Sequence, residues 1–353
     1  VLGNERHLVA EWFMSEQQID TPRIDTIRLQ SIARGFTETA VFYAAIDLDI
    51  FTHVSQGAAT IEAVASAANI TALNAERIVV VLLALGLIEK DDAGHLHNAP
   101  DCEKFMVSTS DRFAGPWMTF TRREVPQWFD LTATLRDLTP PAELGMYDDM
   151  TVERARKYHA ATYSIGMGAG RRFARHVDMS SRTRLLDLGG GSGAYSIQAV
   201  KAYPGLQAIV LDLPAVTVVT QEYIEQNHVA DRVTTFGGDF VNSELPAGCD
   251  IAVMASNLPI YSAANIQKVV QKTFDALEPG GEMHLVGETL HADGVGPLDA
   301  SMWGMAEALY GSGGRSHSVT ECVGYFETAG FVDVETVDFV AGTLTRTIGH
   351  KPG

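Results

Sequence analysis

Two rhythms of apolar residues divide this chain. Over residues 20–110 the spacing is mostly helical. Ile24, Ile27, Ile32 and Phe36 begin such a pattern and Phe42-Tyr43-Ala44-Ala45-Ile46 continues it. Thr60 is placed to cap a helix through Ala68, and a second helix is expected from about Asn74 to Leu85. Gly86 breaks it, Leu87-Ile88-Glu89 begins a strand, Asp91-Asp92-Ala93-Gly94 is a turn, and His95-Leu96-His97 returns. Helix, helix, hairpin is the winged-helix order. Residues 111–178 read as a second helical stretch, rich in large aromatics and interrupted by Thr139-Pro140-Pro141. Within it Thr151 is set to cap a long helix to about Val177, bearing Tyr158, Tyr163 and Met167. Met179-Ser180-Ser181 is the expected hinge into the remainder, 179–353. Residues 1–19 are taken as an extension ahead of the first domain, and 1–13 are set aside from fold reasoning, since Met14-Ser15-Glu16 reads like a natural start.

After the hinge the rhythm changes to short apolar runs alternating with helical segments, the mark of an α/β sheet. Leu185-Leu186-Asp187-Leu188 runs straight into Gly189-Gly190-Gly191-Ser192-Gly193-Ala194. Tyr195, Ile197, Val200 and Tyr203 then recur at helical spacing until Pro204-Gly205. A strand, a glycine turn and a helix in that order bring bare N–H groups to a helix N-terminus, which favours a negative group such as a carboxylate. The next buried strand ends in Asp212-Leu213-Pro214, and an acid at that tip is where a doubly wound sheet holds ribose hydroxyls. Phe236-Gly237-Gly238-Asp239-Phe240 closes a third strand with an acid and an aromatic suited to an adenine edge and face. Asp250 to Ala255 is the fourth strand, followed by Ser256. Ala276-Leu277-Glu278-Pro279-Gly280-Gly281 ends a helix and leads into Met283 to Gly287, and Phe331–Val340 with Thr343–Gly349 reads as a closing antiparallel pair.

Charge and cysteine usage narrow the partners. The net charge of −18 over 353 residues argues against nucleic-acid backbones and anionic membranes. No apolar run is long enough to span a membrane. Cys102, Cys249 and Cys322 are far apart, lack metal-ligand spacing, and fit a reduced cytoplasmic compartment. No histidine has a second ligand at helical spacing, so no metal site is expected. A winged helix also raises the possibility of a DNA-binding regulator. The helix that would read DNA carries one basic residue, Arg77, amid Ile78, Val79, Val80, Val81, Leu82 and Leu83, which favours burial over a DNA groove.

The order of these motifs, with "LDLP", "GGDF", "LEPGG" and the late "GGRSHS" (Gly313 to Ser318), resembles class I methyltransferases that use S-adenosylmethionine (SAM). It is most similar to the small-molecule O-methyltransferase family with an N-terminal dimerisation domain. The resemblance implies a Rossmann-like catalytic domain preceded by a helical winged-helix domain, a homodimer, and SAM as cofactor. It places Asp187, Gly189 and Gly191 at the methionine end, Asp212 with Leu213 at the ribose, Asp239 and Phe240 at the adenine, and Ala255 and Ser256 at the fourth strand's tip. A nicotinamide-type Rossmann enzyme is the runner-up for the glycine loop, but residues 189–194 read G-G-G-S-G-A rather than G-x-G-x-x-G.

Plant-type relatives carry a His-Asp pair just past the fourth strand. Alignment on that strand puts Pro259 where the histidine stands, and proline has no basic group. Another base, an acidic phenol acceptor, or a thioether acceptor would each resolve this. A thioether carries no proton and yields a sulfonium that aromatic faces stabilise. Trp117, Trp128, Tyr163 and Trp303 are candidates for such faces; Arg315 or Arg123 would hold a substrate carboxylate, and His317 follows the "GGR" turn. His284, inside a strand, is read as packed core. The favoured expectation is S-methylation of a 4-methylthio-2-hydroxybutyrate-type acid, as in the dimethylsulfoniopropionate branch of the family. The alternatives are an O-methyltransferase acting on an aromatic or polyketide hydroxyl, and a SAM-binding protein without turnover.

Overall fold

A computed structural model describes residues 24–142 and 145–353. The chain divides into two compact units, 1–109 and 110–353.

In the first unit the opening apolar pattern is one continuous helix, α1 (Ile27–Asp47), followed by α2 (Ile50–Ser55), α3 (Ile61–Ala67), α4 (Ala72–Ala84), the strands β1 (Ile88–Lys90) and β2 (Leu96–Asn98), and α5 (Pro100–Phe105). Thr60 caps α3 through Ala63 N at 3.2 Å, as its position predicts. The second helix starts earlier than Asn74, because Thr71 supplies the cap, accepting from Asn74 N at 3.2 Å. The two axes meet at 112°, and β1 and β2 pair antiparallel, Ile88 opposite Asn98. The apolar α4 buries only one stripe within its own chain: Ala75, Val79 and Leu82 are covered, while Leu73 and Val80 are each 55% exposed. On α1, Ile27, Ile32 and Phe36 also face outward. Among the described residues no single helix is long and apolar enough to cross a membrane.

The second unit begins with short helices α6 (Gly115–Met118), α7 (Val125–Phe129) and α8 (Leu131–Arg136), then the long α9 (Val152–His176), capped by Thr151. The α/β core follows as β3 (Arg184–Leu188), α10 (Ala194–Ala202), β4 (Gln207–Asp212), α11 (Pro214–Gln226), β5 (Val233–Gly237), β6 (Cys249–Ala255), α12 (Ala263–Ala276) and β7 (Leu277–Gly287). It ends with β8 (Thr289–Leu290), α13 (Leu298–Leu309), β9 (His317–Ser318), α14 (Val319–Ala329), β10 (Val332–Val340) and β11 (Leu344–His350). Seven strands form one sheet in the order β10-β11-β7-β6-β3-β4-β5. It is parallel from β7 to β5, with β11 and β10 added antiparallel at one edge. The strand expected from Met283 begins at Leu277 instead, because Leu277 pairs with Cys249 and Gly281 O accepts from Lys351 N.

The period-2 pleat assigns each side chain of β3 to a face. Leu186 and Leu188 enter the core beneath α12 and α14, with Val269 and Phe326. Leu185 enters the opposite core with Ile197 of α10 and Phe173 of α9. Asp187 therefore falls on the α9–α10 side, directly before the glycine turn.

Candidate functional site

The five parallel strands, β7, β6, β3, β4 and β5, deliver their carboxyl ends to one edge, where open parallel sheets bind ligands. At the tip of β3, Asp187 is 1% exposed and its Oδ2 accepts from Ser196 Oγ at 2.7 Å and Ser196 N at 3.3 Å. Burial pushes its carboxyl up to about 6. Asp187, expected at the methionine end, ties β3 to the first turn of α10 and supports the glycine turn from beneath. A Cβ on Gly190 would meet its Cγ at 2.6 Å.

Asp212, at the tip of β4, is half-buried and faces the same turn. Its Oδ2 accepts from Gly191 N at 2.8 Å and its Oδ1 from Leu213 N at 2.7 Å. Burial raises this carboxyl too, to about 6. Gly191 has φ +56°, and a Cβ there would lie 2.5 Å from Cε1 of His159 on α9. Glycine is thus required twice over, by conformation and by close approach.

At the third strand, Asp239 turns its carboxylate back on its own loop, accepting from Val241 N at 2.9 Å and Asn242 Nδ2 at 2.7 Å. Phe240 is only 5% exposed, with its ring 5.2 Å from that of Tyr261. It forms a wall behind Gly189, whose missing Cβ would meet Phe240 Cε1 at 2.9 Å. Phe240, expected at the adenine, thus packs between Tyr261 and the glycine turn. At the tip of β6, Ala255 is half-buried and Ser256 is exposed in the left-handed region, φ +57°. Asn257 then donates from Nδ2 to Ala255 O at 2.9 Å and Gly189 O at 3.2 Å, tying the β6 tip to the glycine turn.

Above this edge the rings of Trp303, Trp117, Phe120, Tyr158 and His159 form a continuous chain ending on the glycine turn. Trp117 lies 6.3 Å from Trp303 and 5.6 Å from Phe120, both nearly parallel, and Tyr158 stands edge-on to Phe120 at 5.2 Å. The last step, Tyr158 to His159, is 5.1 Å. Carboxyls flank the chain. Buried Glu124 accepts from Tyr310 OH at 2.8 Å, and buried Glu307 accepts from Ser312 Oγ. Burial raises both, Glu307 to about 7.

Four of the other residues singled out from sequence do not join this chain. Tyr163 stacks on Tyr223 of α11 at 4.2 Å and accepts from Asn227. It is five positions from Tyr158, and at about 100° per residue that rotates it well round the helix. Arg315 is committed to Glu321 and to Ser316 O, with nearly half of its side chain exposed. His317 is fully buried, with Nδ1 against Tyr325 OH and Nε2 against Tyr261 O, both at 2.9 Å. Trp128 is half-buried on α7, a helix with no buried residue, and makes no ring contact among the described residues. Arg123 lies over Phe120 at 5.5 Å with its side chain 60% exposed. His284 is packed core, 2% exposed and 3.3 Å from Glu282. The backbone explains Pro259: it is buried, and its carbonyl would strike any Cβ on Gly314, so the two loops close on each other.

Three residues escaped the sequence reading. Asn257 is one, and His159 is the second. The third is Glu288, half-buried immediately after β7 and level with Asn257, since Ala255 pairs with Val286. Burial pushes its carboxyl up to about 7; burial also raises the phenols of Tyr195 and Tyr158, with a smaller contribution from the nearby Glu288 charge. A signal for His159 did exist. Gly166 and Gly170 lie seven and eleven residues beyond it, on the same helical stripe. They let α9 approach the start of α10; a Cβ on Gly170 would sit 2.6 Å from Ala194 O.

Comparison with known proteins matches this arrangement to a family. The O-methyltransferase domain matches residues 145–332, and the O-methyltransferase dimerisation domain matches residues 30–108. The chain is 28% identical over 316 residues to the 3-hydroxy-5-methyl-1-naphthoate 3-O-methyltransferase of Streptomyces sahachiroi, covering 89% of this chain and 91% of that one. It is 27% identical to the tetracenomycin polyketide synthesis 8-O-methyl transferase TcmO of Streptomyces glaucescens, covering 91% and 95%. The fold is shared with human N-acetylserotonin methyltransferase in complex with SAM, at TM-score 0.76 and 20% identity over 94% of this chain and 99% of that one.

Proposed function

The chain belongs to the O-methyltransferase family, a SAM-dependent methyltransferase with an N-terminal dimerisation domain, and on that premise we propose that it methylates a hydroxyl of an aromatic or polyketide acceptor. The likeness to two such O-methyltransferases over nine-tenths of both chains carries the reading. The glycine turn fits the cofactor, because it opens α10 without a side-chain cap at the carboxyl edge of the parallel strands and faces Asp212 at the tip of β4. Bound SAM supplies a methyl group on a sulfonium, with a neutral thioether as leaving group.

What the chain itself must do is orient the acceptor and take its proton. The near-parallel Trp117 and Trp303 suit a flat ring. As the acceptor oxygen bonds the methyl carbon and the carbon–sulfur bond breaks, the hydroxyl proton needs a base. Pro259 is unable to serve. Glu288 is our choice: it stands at the carboxyl end of β7, has no side-chain partner among the described residues, and its carboxyl is poised near neutrality.

The thioether reading keeps one supporting observation, the proline at 259. Against it, Arg315 is spent on Glu321 and is not left to hold a substrate carboxylate. The test compares 1-naphthol-type phenols with 4-methylthio-2-hydroxybutyrate at one SAM concentration. Phenol turnover is expected, with Glu288→Gln slowing it about 100-fold, within the range general-base catalysis contributes. Turnover of the thioether alone would end the O-methyl reading.

We further propose a homodimer, on the exposed apolar residues of α1 and α4. Light scattering at micromolar concentration should return about twice the chain mass, as a two-fold assembly requires. A monomer would refute it.

A further inference from the structure

His159 has no role in the reaction outlined above, yet its placement is specific. It is 8% exposed, on α9, and its imidazole rests on Gly191, whose missing Cβ would lie 2.5 Å from Cε1 and 3.2 Å from Nδ1. The other two buried histidines are hydrogen-bonded, His317 at both ring nitrogens and His284 at Nε2. Among the described residues neither ring nitrogen of His159 has a hydrogen-bond partner. The ring is largely buried while its nitrogens stay open, so they are placed to bond a ligand.

The surroundings indicate which ligand. The turn beneath the ring leads into α10, whose N-cap, Gly193, offers no side chain to the first-turn N–H groups. A helix N-terminus of that kind favours an anion. Burial drives the pKa of His159 down to about 4, so at neutral pH the ring is uncharged, with one N–H to donate and one lone pair to accept. An α-amino acid group is the complement, with a carboxylate to accept and an ammonium to donate.

We propose that His159 recognises the amino-acid end of the cofactor, its ring N–H donating to the carboxylate over the glycine turn. The proposal rests on SAM as methyl donor and is independent of the acceptor. It makes His159 a cofactor-specificity residue, one that tells SAM from nucleosides lacking the amino acid.

Titration calorimetry with two ligands tests it: S-adenosylhomocysteine, and 5′-methylthioadenosine, which keeps the nucleoside and thioether but has no amino-acid end. His159→Phe preserves a ring on Gly191 and removes both nitrogens. It should weaken S-adenosylhomocysteine roughly ten-fold, the worth of one hydrogen bond to a charged group. Binding of 5′-methylthioadenosine should stay within two-fold, roughly the effect of an uninvolved residue. Equal weakening of both ligands, or an unchanged affinity for S-adenosylhomocysteine, overturns the proposal. If the variant fails to fold, imidazole ¹⁵N spectra of the wild-type protein give the same decision. S-adenosylhomocysteine should then shift one more histidine nitrogen than 5′-methylthioadenosine does, and identical spectra would refute the idea. Failure of the wild type to bind S-adenosylhomocysteine at all would instead count against the cofactor.

Discussion

Replacing Asp212 by Ala is expected to weaken SAM or S-adenosylhomocysteine by about 2–3 kcal/mol, roughly 30- to 150-fold in Kd. A carboxylate at the tip of β4, facing the glycine turn, accepts ribose hydroxyls strongly only when it is ionised. The substitution also removes the acceptor for Gly191 N and Leu213 N, which loosens the turn. Calorimetry measures the loss, and unchanged affinity would remove Asp212 from the site. The wild type gives a pH arm. Burial raises Asp212 and Asp187 to about 6, above the ordinary carboxylate value of 3.8. For these two groups alone, the fold gains stability when they are protonated. That gain is complete below about pH 4 and is lost as pH rises through 6. Ligand binding runs the other way, because the diol needs the ionised form. Affinity should therefore rise as pH is taken from 5 to 7, about ten-fold for a single proton released near pH 6. A flat profile would contradict Asp212 as the ribose acceptor.

The second large effect is expected at Gly170, far from any reacting atom. Gly170→Ala places a Cβ 2.6 Å from the carbonyl oxygen of Ala194 and 3.1 Å from Tyr195 Cα. Both are backbone, so neither moves without shifting the start of α10. Overpacking of this kind costs about 1–3 kcal/mol, more than the roughly 1 kcal/mol that alanine contributes to a helix interior. A fall in Tm is expected, together with weaker S-adenosylhomocysteine, because α10 carries the glycine turn. Gly168→Ala is the control. It lies on the same helix with nothing within 4 Å of its Cβ, and should stabilise by about 0.5–1 kcal/mol. If both variants behave alike, the close approach of α9 to α10 does not hold the turn.

The sequence by itself determined what depends on local spacing. The glycine turn after Asp187, the acid at 212 and the helix–helix–hairpin order are written in consecutive residues, since strands, turns and caps are set by neighbours along the chain. The period-2 pleat even determined that Asp187 and Leu188 point to opposite faces. Missing from that reading was where the faces lead. Only the fold shows that Asp187 also holds Ser196 of α10, and that Phe240 packs against Tyr261 and behind Gly189.

Tertiary structure decided the rest, because the remaining roles belong to pairs distant in sequence. His317 carried the same imidazole in sequence whether it faced a substrate or, as observed, Tyr325 and Tyr261. Tyr158 and Tyr163 looked equivalent as aromatics of one helix, and only the docking of α9 turned one toward Phe120 and the other toward Tyr223. His159 gained its position over Gly191 from Gly166 and Gly170, small residues whose meaning exists only when a second helix is there to approach. Glu288 is poised near neutrality through burial, a property of the assembled sheet edge and not of any tripeptide around it.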